Sequence, residues 1–222
     1  MSLEKARFNM IEQQIRPWDV LNFDVLETLK SVPRENFVPN IYRSLAFADI
    51  EIPLGHGETM MHPRVEGKVL QELAVLPSDT CLEIGTGSGY LTACLAKLST
   101  HVHSVEIHED LSHIAQNNLD SIGVMNASLM VGDAADDWQT QPNLYNVIAI
   151  TASMPRYNKR YEKKLAVGGR LFVVVGSENS IQPMQAILVT RVTPSQFSRV
   201  SLLEMPLKPL IMQEKEEPAF VF

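Results

Sequence analysis

Residues 82–90, LEIGTGSGY, place three glycines at alternate positions, Gly85, Gly87 and Gly89, behind a carboxylate at Glu83. Glycine has no Cβ to hold a ligand off the main chain, so a glycine-rich turn from a strand into a helix lets backbone approach a bound molecule closely. Two ligand chemistries use such turns. A diphosphate requires the spacing G-x-G-x-x-G, so that it rests on the helix N-terminus. Here the third residue after Gly87 is Tyr90, and that spacing fails. A carboxylate two residues ahead of the first glycine would also repel phosphate, and it suits a ligand that bears an ammonium group. Further polar residues recur downstream: Glu106, 17 positions after Gly89, then Asp133 in VGDA and Thr151 in ITAS.

The elements that must carry these residues follow from hydrophobic period. Val65, Val69 and Leu73 share a helix face, TCLEI is a strand, Leu91, Leu95 and Leu98 line a second helix, and HVHSVEI is a second strand. EDLSHIAQNNLDSIG reads as a helix that ends at Gly123. ASLMVGD and YNVIAIT follow as strands, then a helix near residues 156–165, then the strand in GGRLFVVVG. Strands alternating with helices imply right-handed parallel crossovers and a doubly wound sheet with helices on both faces. TCLEI should be central, with HVHSVEI beside it and ASLMV outside that. AILVTRV and FSRVSLLEM, separated by TPSQ, should close one edge as an antiparallel hairpin. In this arrangement Glu83, Glu106, Asp133 and Thr151 all lie at or near the carboxyl ends of successive strands, where open α/β sheets bind ligands.

Ahead of this regular part, residues 1–62 read as helical and then irregular. Phe8, Ile11 and Ile15 form one apolar stripe, and Leu21, Val25 and Leu29 another. Residues 51–63, EIPLGHGETMMHP, have no period and read as a loop. The segment 1–62 is expected to lie over the mouth of the ligand crevice, and 63–222 to form the ligand-binding domain, the two making one structural unit.

Composition narrows the function. A formal net charge of -7, with no basic run, argues against nucleic acid as the partner. No apolar run approaches the roughly 20 residues that span a bilayer, and the N-terminus has no signal-peptide core, so a cytoplasmic protein is expected. The two cysteines, Cys81 and Cys94, are expected as core thiols, with neither a disulfide nor a metal site.

The spacing E-x-G-x-G-x-G resembles the first motif of class I S-adenosylmethionine-dependent methyltransferases. That resemblance implies S-adenosylmethionine as cofactor and S-adenosylhomocysteine as product. It implies contacts from Glu83, Gly85, Thr86, Gly87, Ser88 and Gly89, from Glu106 and Ile107, from Gly132, Asp133 and Ala134, and from Thr151. Glu106 can accept from both ribose hydroxyls and Asp133 from the adenine amino group. Over a longer span, MIEQQIRP, VPRENFVP, LAFADIEIPLGHGETMMHP, CLEIGTGSGY, VHSVE, VGDA and LAVGGRLFVVVG are similar to the protein-L-isoaspartate O-methyltransferase family, nearly to residue 211. This implies a seven-stranded class I sheet and methylation of isoaspartyl carboxyls in damaged proteins. It also makes His56, Thr59, Met60, Met61 and His62 the acceptor-binding residues. The family loop usually reads GxGQTISQP. Against it, Met61 stands at the functional serine, Met60 at an isoleucine, His62 and Glu58 at glutamines, and Ile211 at a threonine near the C-terminus. A thioether cannot donate a hydrogen bond to a carboxylate, and Glu58 adds negative charge. Two alternatives follow: a methyltransferase with another acceptor, with His56 or His62 taking its proton, or a non-catalytic S-adenosylmethionine-binding protein.

Overall fold

The structure is a computed structural model that describes residues 2–134, 142–177 and 180–211. Among the described residues the strands are β1 (Ile52–Gly55), β2 (Glu58–Met60), β3 (Thr80–Ile84), β4 (His101–Glu106), β5 (Ala127–Val131), β6 (Tyr145–Met154), β7 (Leu165–Val175), β8 (Gln185–Arg191) and β9 (Phe197–Glu204). Seven of them form one sheet in the order β5-β4-β3-β6-β7-β8-β9. The pairs from β5 to β7 are parallel, and β8 and β9 add on antiparallel. The expected order therefore holds, including the central place of TCLEI and the closing hairpin.

The helices are α1 (Leu3–Met10), α2 (Phe23–Ser31), α3 (Pro63–Leu73), α4 (Tyr90–Leu98), α5 (Glu109–Ser121) and the short α6 (Lys159–Glu162). Period-2 alternation in the strands splits the core between the two faces of the sheet. Cys81, Val147, Ala149, Phe172 and Val174 pack with the buried sides of α2, α3 and α4. Leu82, Ile84, Ile148, Ile150, Leu171 and Val173 pack with Tyr161 of α6 on the other face. Both cysteines are buried free thiols, and burial pushes the Cys81 thiol up to about 12, as suits core residues rather than reactive ones.

The N-terminal segment shares the first of these cores. Ile11, Ile15, Val25 and Leu29 are buried in it, but Phe8 and Leu21, expected on the same stripes, are exposed. The reason is local. After α1 the chain takes a π-helical turn, Ile11–Ile15, whose wider winding shifts the phase so that Met10 faces the core in place of Phe8. Leu21 precedes α2, whose cap Asn22 accepts from the Val25 amide, and the Leu21 amide itself donates to Gln71.

Residues 51–63 are not a plain loop. β1 and β2 pair antiparallel around His56 and Gly57, both with positive φ, at 51° and 77°. Two such central residues are what a tight hairpin turn demands. This hairpin, rather than the helices α1 and α2, is the part of the N-terminal segment that borders the ligand cleft; α2 packs on α3 and α4.

Candidate functional site

The carboxyl ends of β3, β4 and β6 open into a cleft with about 980 Å³ of unfilled space, including its mouth. Its floor is the segment from Glu83 to Ser88. One wall is Val105 to His108 with Gly132 and Ala134, and another is Thr151 and Ala152. Glu51, Leu54 and the stretch Glu58 to Met61 of the hairpin roof it, and the C-terminal segment Leu207 to Ile211 closes the far side. That segment is pinned to the end of β6. The Ser153 hydroxyl donates to the Leu207 carbonyl at 2.8 Å, the Ser153 amide to Lys208 at 2.7 Å, and the Leu210 amide to the Ser153 carbonyl at 2.8 Å.

The three glycines divide their work. All have positive φ. A Cβ on Gly85 would run into the Thr151 hydroxyl, which lies 2.9 Å from both the Ile84 and Gly85 carbonyls and donates to them. A Cβ on Gly87 would come within 3.2 Å of Leu54 in the roof. Gly89 faces away from the cleft, against the Ala115 backbone of α5, so it allows close packing of α5 rather than close approach of a ligand.

Two buried carboxylates organise the floor. Glu106 accepts from the Gly87 amide at 2.8 Å through one oxygen and from the His108 amide at 3.1 Å through the other. Glu83 is fully buried. Its Oε2 accepts from the hydroxyls of Thr92 and Ser104, and Ser104 in turn can accept from Thr86 at 2.6 Å. Its Oε1 accepts nothing among the described residues. Burial pushes the Glu83 carboxyl up to about 7, with the two hydroxyl donors opposing.

On the acceptor side, Thr59, Met60 and Met61 line the cleft, and the Thr59 hydroxyl donates to Glu51 at 3.2 Å. His56 and His62 do not line it. His56 Nε2 meets Asp110 at 2.8 Å and its ring stacks on His108, centroids 4.1 Å apart. His62 Nδ1 meets Asp49 at 3.2 Å. Asp133 also stays outside the lining, while its neighbours Gly132 and Ala134 are in it.

Several lining residues have no signature in the sequence. Glu51, Leu54, His108 and Lys208 come from segments without period. Glu66 is legible only as a charged residue between Val65 and Gly67, inside an apolar helix start. It is buried and pairs with the equally buried Arg34 at 3.3 Å. Burial pushes the Glu66 carboxyl up to about 8, and the Arg34 charge pulls it down.

A central glycine turn, carboxylates at the ends of β3 and β4, and five parallel strands closed by an antiparallel pair define a class I, Rossmann-like methyltransferase. The family model for protein-L-isoaspartate(D-aspartate) O-methyltransferase matches residues 5–200, and the chain belongs to that family. It is similar to the protein-L-isoaspartate O-methyltransferase of Koribacter versatilis, 32% identical over 98% of this chain and 95% of that one. It is likewise similar to the protein of the same name from Protochlamydia amoebophila, 34% identical over 92% and 96%. Its fold matches a Plasmodium falciparum protein assigned to the same activity and crystallised with S-adenosyl-L-homocysteine. The TM-score is 0.78 over 94% of this chain and 97% of that one, at 19% identity. Among the described residues no His, Cys, Asp and Glu cluster could hold a metal ion, and no helix is long and apolar enough to cross a membrane.

Proposed function

We propose that this chain binds S-adenosylmethionine in the cleft and methylates isoaspartyl carboxylates of damaged proteins. When bound, the cofactor supplies a methyl group on a sulfonium. The observation that carries the cofactor reading is the buried, unpartnered Oε1 of Glu83 at the cleft floor, an orphaned acceptor that an ammonium group would satisfy. Gly87 supports it, since any Cβ there would narrow the space beneath Leu54. Glu106 would accept from the ribose hydroxyls on the oxygen lone pairs that the Gly87 and His108 amides leave free.

The acceptor carboxylate is already ionised at neutral pH and attacks the methyl carbon directly, so no base has to take a proton. The new bond is carboxylate oxygen to methyl, the broken one sulfur to methyl, and the bonding pair stays on sulfur. The protein's share is alignment and exclusion of water. Main-chain amides of the hairpin beside Met61 would receive the carboxylate in place of a hydroxyl. The acceptors are read as cytoplasmic proteins, in keeping with two buried free thiols.

A second reading, a different acceptor, draws on Glu51 and Glu58 in the roof, which disfavour an anion. One experiment separates the two. The protein is incubated with labelled S-adenosylmethionine and paired aspartyl and isoaspartyl peptides, and base-labile methyl ester is counted. Label on the isoaspartyl peptide alone supports the proposal. Met61→Ser should then raise turnover about tenfold to a hundredfold, because one charge-assisted hydrogen bond made in the transition state is worth on the order of 1.5 to 3 kcal/mol. A variant that binds S-adenosylhomocysteine normally yet methylates no isoaspartyl peptide would move the assignment to another acceptor.

A further inference from the structure

Arg34 comes from VPRENFVP, a stretch whose prolines and short 3-10 turn, Arg34–Asn36, suggest nothing more than a connection. Its side chain is nonetheless fully buried. It reaches three separate elements. One guanidinium nitrogen donates to the Met61 carbonyl at 2.8 Å, at the end of the roof hairpin. Another lies 3.3 Å from the Glu66 carboxylate in the first turns of α3. The guanidinium carbon lies 5.0 Å above the ring of Tyr90, the residue that opens α4 directly after the glycine turn.

Stability alone does not account for this arrangement. A buried ion pair loses in desolvation most of what it gains in attraction, and apolar residues of similar volume are often as stabilising. Moreover the Arg34 Nε donates to nothing among the described residues. What the arrangement does deliver is geometry. The guanidinium is a rigid planar fork, so fixing one nitrogen on Glu66 and the plane over Tyr90 fixes where the other nitrogen holds the Met61 carbonyl. Met61 lines the cleft where the acceptor must arrive, and Tyr90 follows the glycine turn directly.

We propose that Arg34 is a positioning residue: held by Glu66 and Tyr90, it sets the Met61 main chain against the glycine turn and so shapes the place where the acceptor carboxylate binds. This inference rests on the isoaspartyl reading for its kinetic consequence, though not for its structural one.

The decisive variant is the double substitution Arg34→Met/Glu66→Leu, which removes both charges together and so leaves no lone buried charge. Four quantities are measured on it: thermal midpoint, affinity for S-adenosylhomocysteine, and kcat and KM on the isoaspartyl peptide. Amide hydrogen exchange across residues 52–62 is followed in the absence of peptide. The expected result is a midpoint close to the native one, affinity for the product within about twofold, and a KM raised at least about tenfold, with kcat changed by less than about threefold. Hairpin amides should exchange faster while those of β3 and β4 do not change. Arg34→Lys keeps the charge but not the fork, and should show part of the same KM effect. It decides the matter should the double variant be insoluble. Native KM with native hairpin exchange, or loss of product binding together with KM, would overturn the proposal. If the native protein methylates no isoaspartyl peptide, the functional reading fails, and the exchange data still judge Arg34 on their own.

Discussion

The floor and the roof of the cleft are built by different means. The floor is main chain and buried acids held by internal hydrogen bonds. Thr151 donates to the carbonyls of Ile84 and Gly85, Glu106 takes the Gly87 amide, and Ser104 and Thr92 hold Glu83. The roof is a two-stranded hairpin and the residue after it, which line the cleft through Leu54, Glu58, Thr59, Met60 and Met61. A floor of this kind tolerates little change, because the Gly85 carbonyl, the Gly87 amide and Glu83 Oε2 are each tied to a fixed partner. A roof of side chains can be altered residue by residue without disturbing the sheet. Glu58, Met60 and Met61, where this chain departs from the family loop, lie on the roof, and Ile211 departs on the far side of the cleft.

The sharpest break of this comparison is Gly85→Ala. Gly85 has φ of 94°, and the new methyl would collide with the Thr151 hydroxyl. Strain and collision together should lower affinity for S-adenosylhomocysteine at least about a hundredfold by calorimetry. Near-native affinity would show that the floor is more pliant than its hydrogen bonds imply. Glu106→Ala comes next. It removes acceptors for the Gly87 and His108 amides as well as the proposed ribose contacts, and should weaken binding about tenfold to a hundredfold.

The floor was also the legible part. Glycines at alternate positions after a strand, and acids at strand ends, are local patterns; the elements that carry them followed from period 2 and period 3.6, and their ligand roles from the resemblance. Gly89 shows the limit of that reading, since its spacing is that of a ligand turn but its neighbour is Ala115. The roof was hardly legible. Two positive φ values at His56 and Gly57 turn an apparently aperiodic stretch into a hairpin, and His56 and His62 were expected to face the acceptor. Their partners, Asp110 and Asp49, lie 54 and 13 positions away, so no local pattern could reveal that both rings point elsewhere. Arg34 and Glu66, 32 positions apart, escaped for the same reason.

A smaller effect tests the floor through protons. Burial raises the Glu83 carboxyl from 4.5 to about 7. The folded chain therefore holds a proton that the unfolded chain has lost, and this group's contribution makes stability fall as pH rises from about 4.5 to 7. An ammonium group beside Oε1 would favour the ionised form and reverse the balance. Affinity for S-adenosylhomocysteine should then strengthen up to about tenfold between pH 6 and pH 8, with proton release on binding. In Glu83→Gln both slopes should flatten, and the difference between the two proteins isolates this group from Glu66. A native affinity independent of pH would mean that Glu83 does not meet the ammonium.

The smallest expected effect is that of His56→Ala, and it bears on the roof. A base that takes the acceptor's proton contributes about a hundredfold or more, so its loss would be plain in kcat. The structure gives His56 other work. Its ring stacks on His108 and its Nε2 meets Asp110, which ties the hairpin tip to the start of α5. The hydrogen bond from His56 is the main reason that the Asp110 carboxyl lies below its usual value. Both partners are exposed to water, where such a contact contributes little. A carboxylate acceptor brings no proton to remove, so turnover on isoaspartyl peptide should change by less than about threefold at every pH from 6 to 8. Steady-state kinetics on the variant decides between the two roles. A hundredfold fall in kcat at native cofactor affinity would make His56 a participant in the chemistry rather than a tie at the hairpin tip.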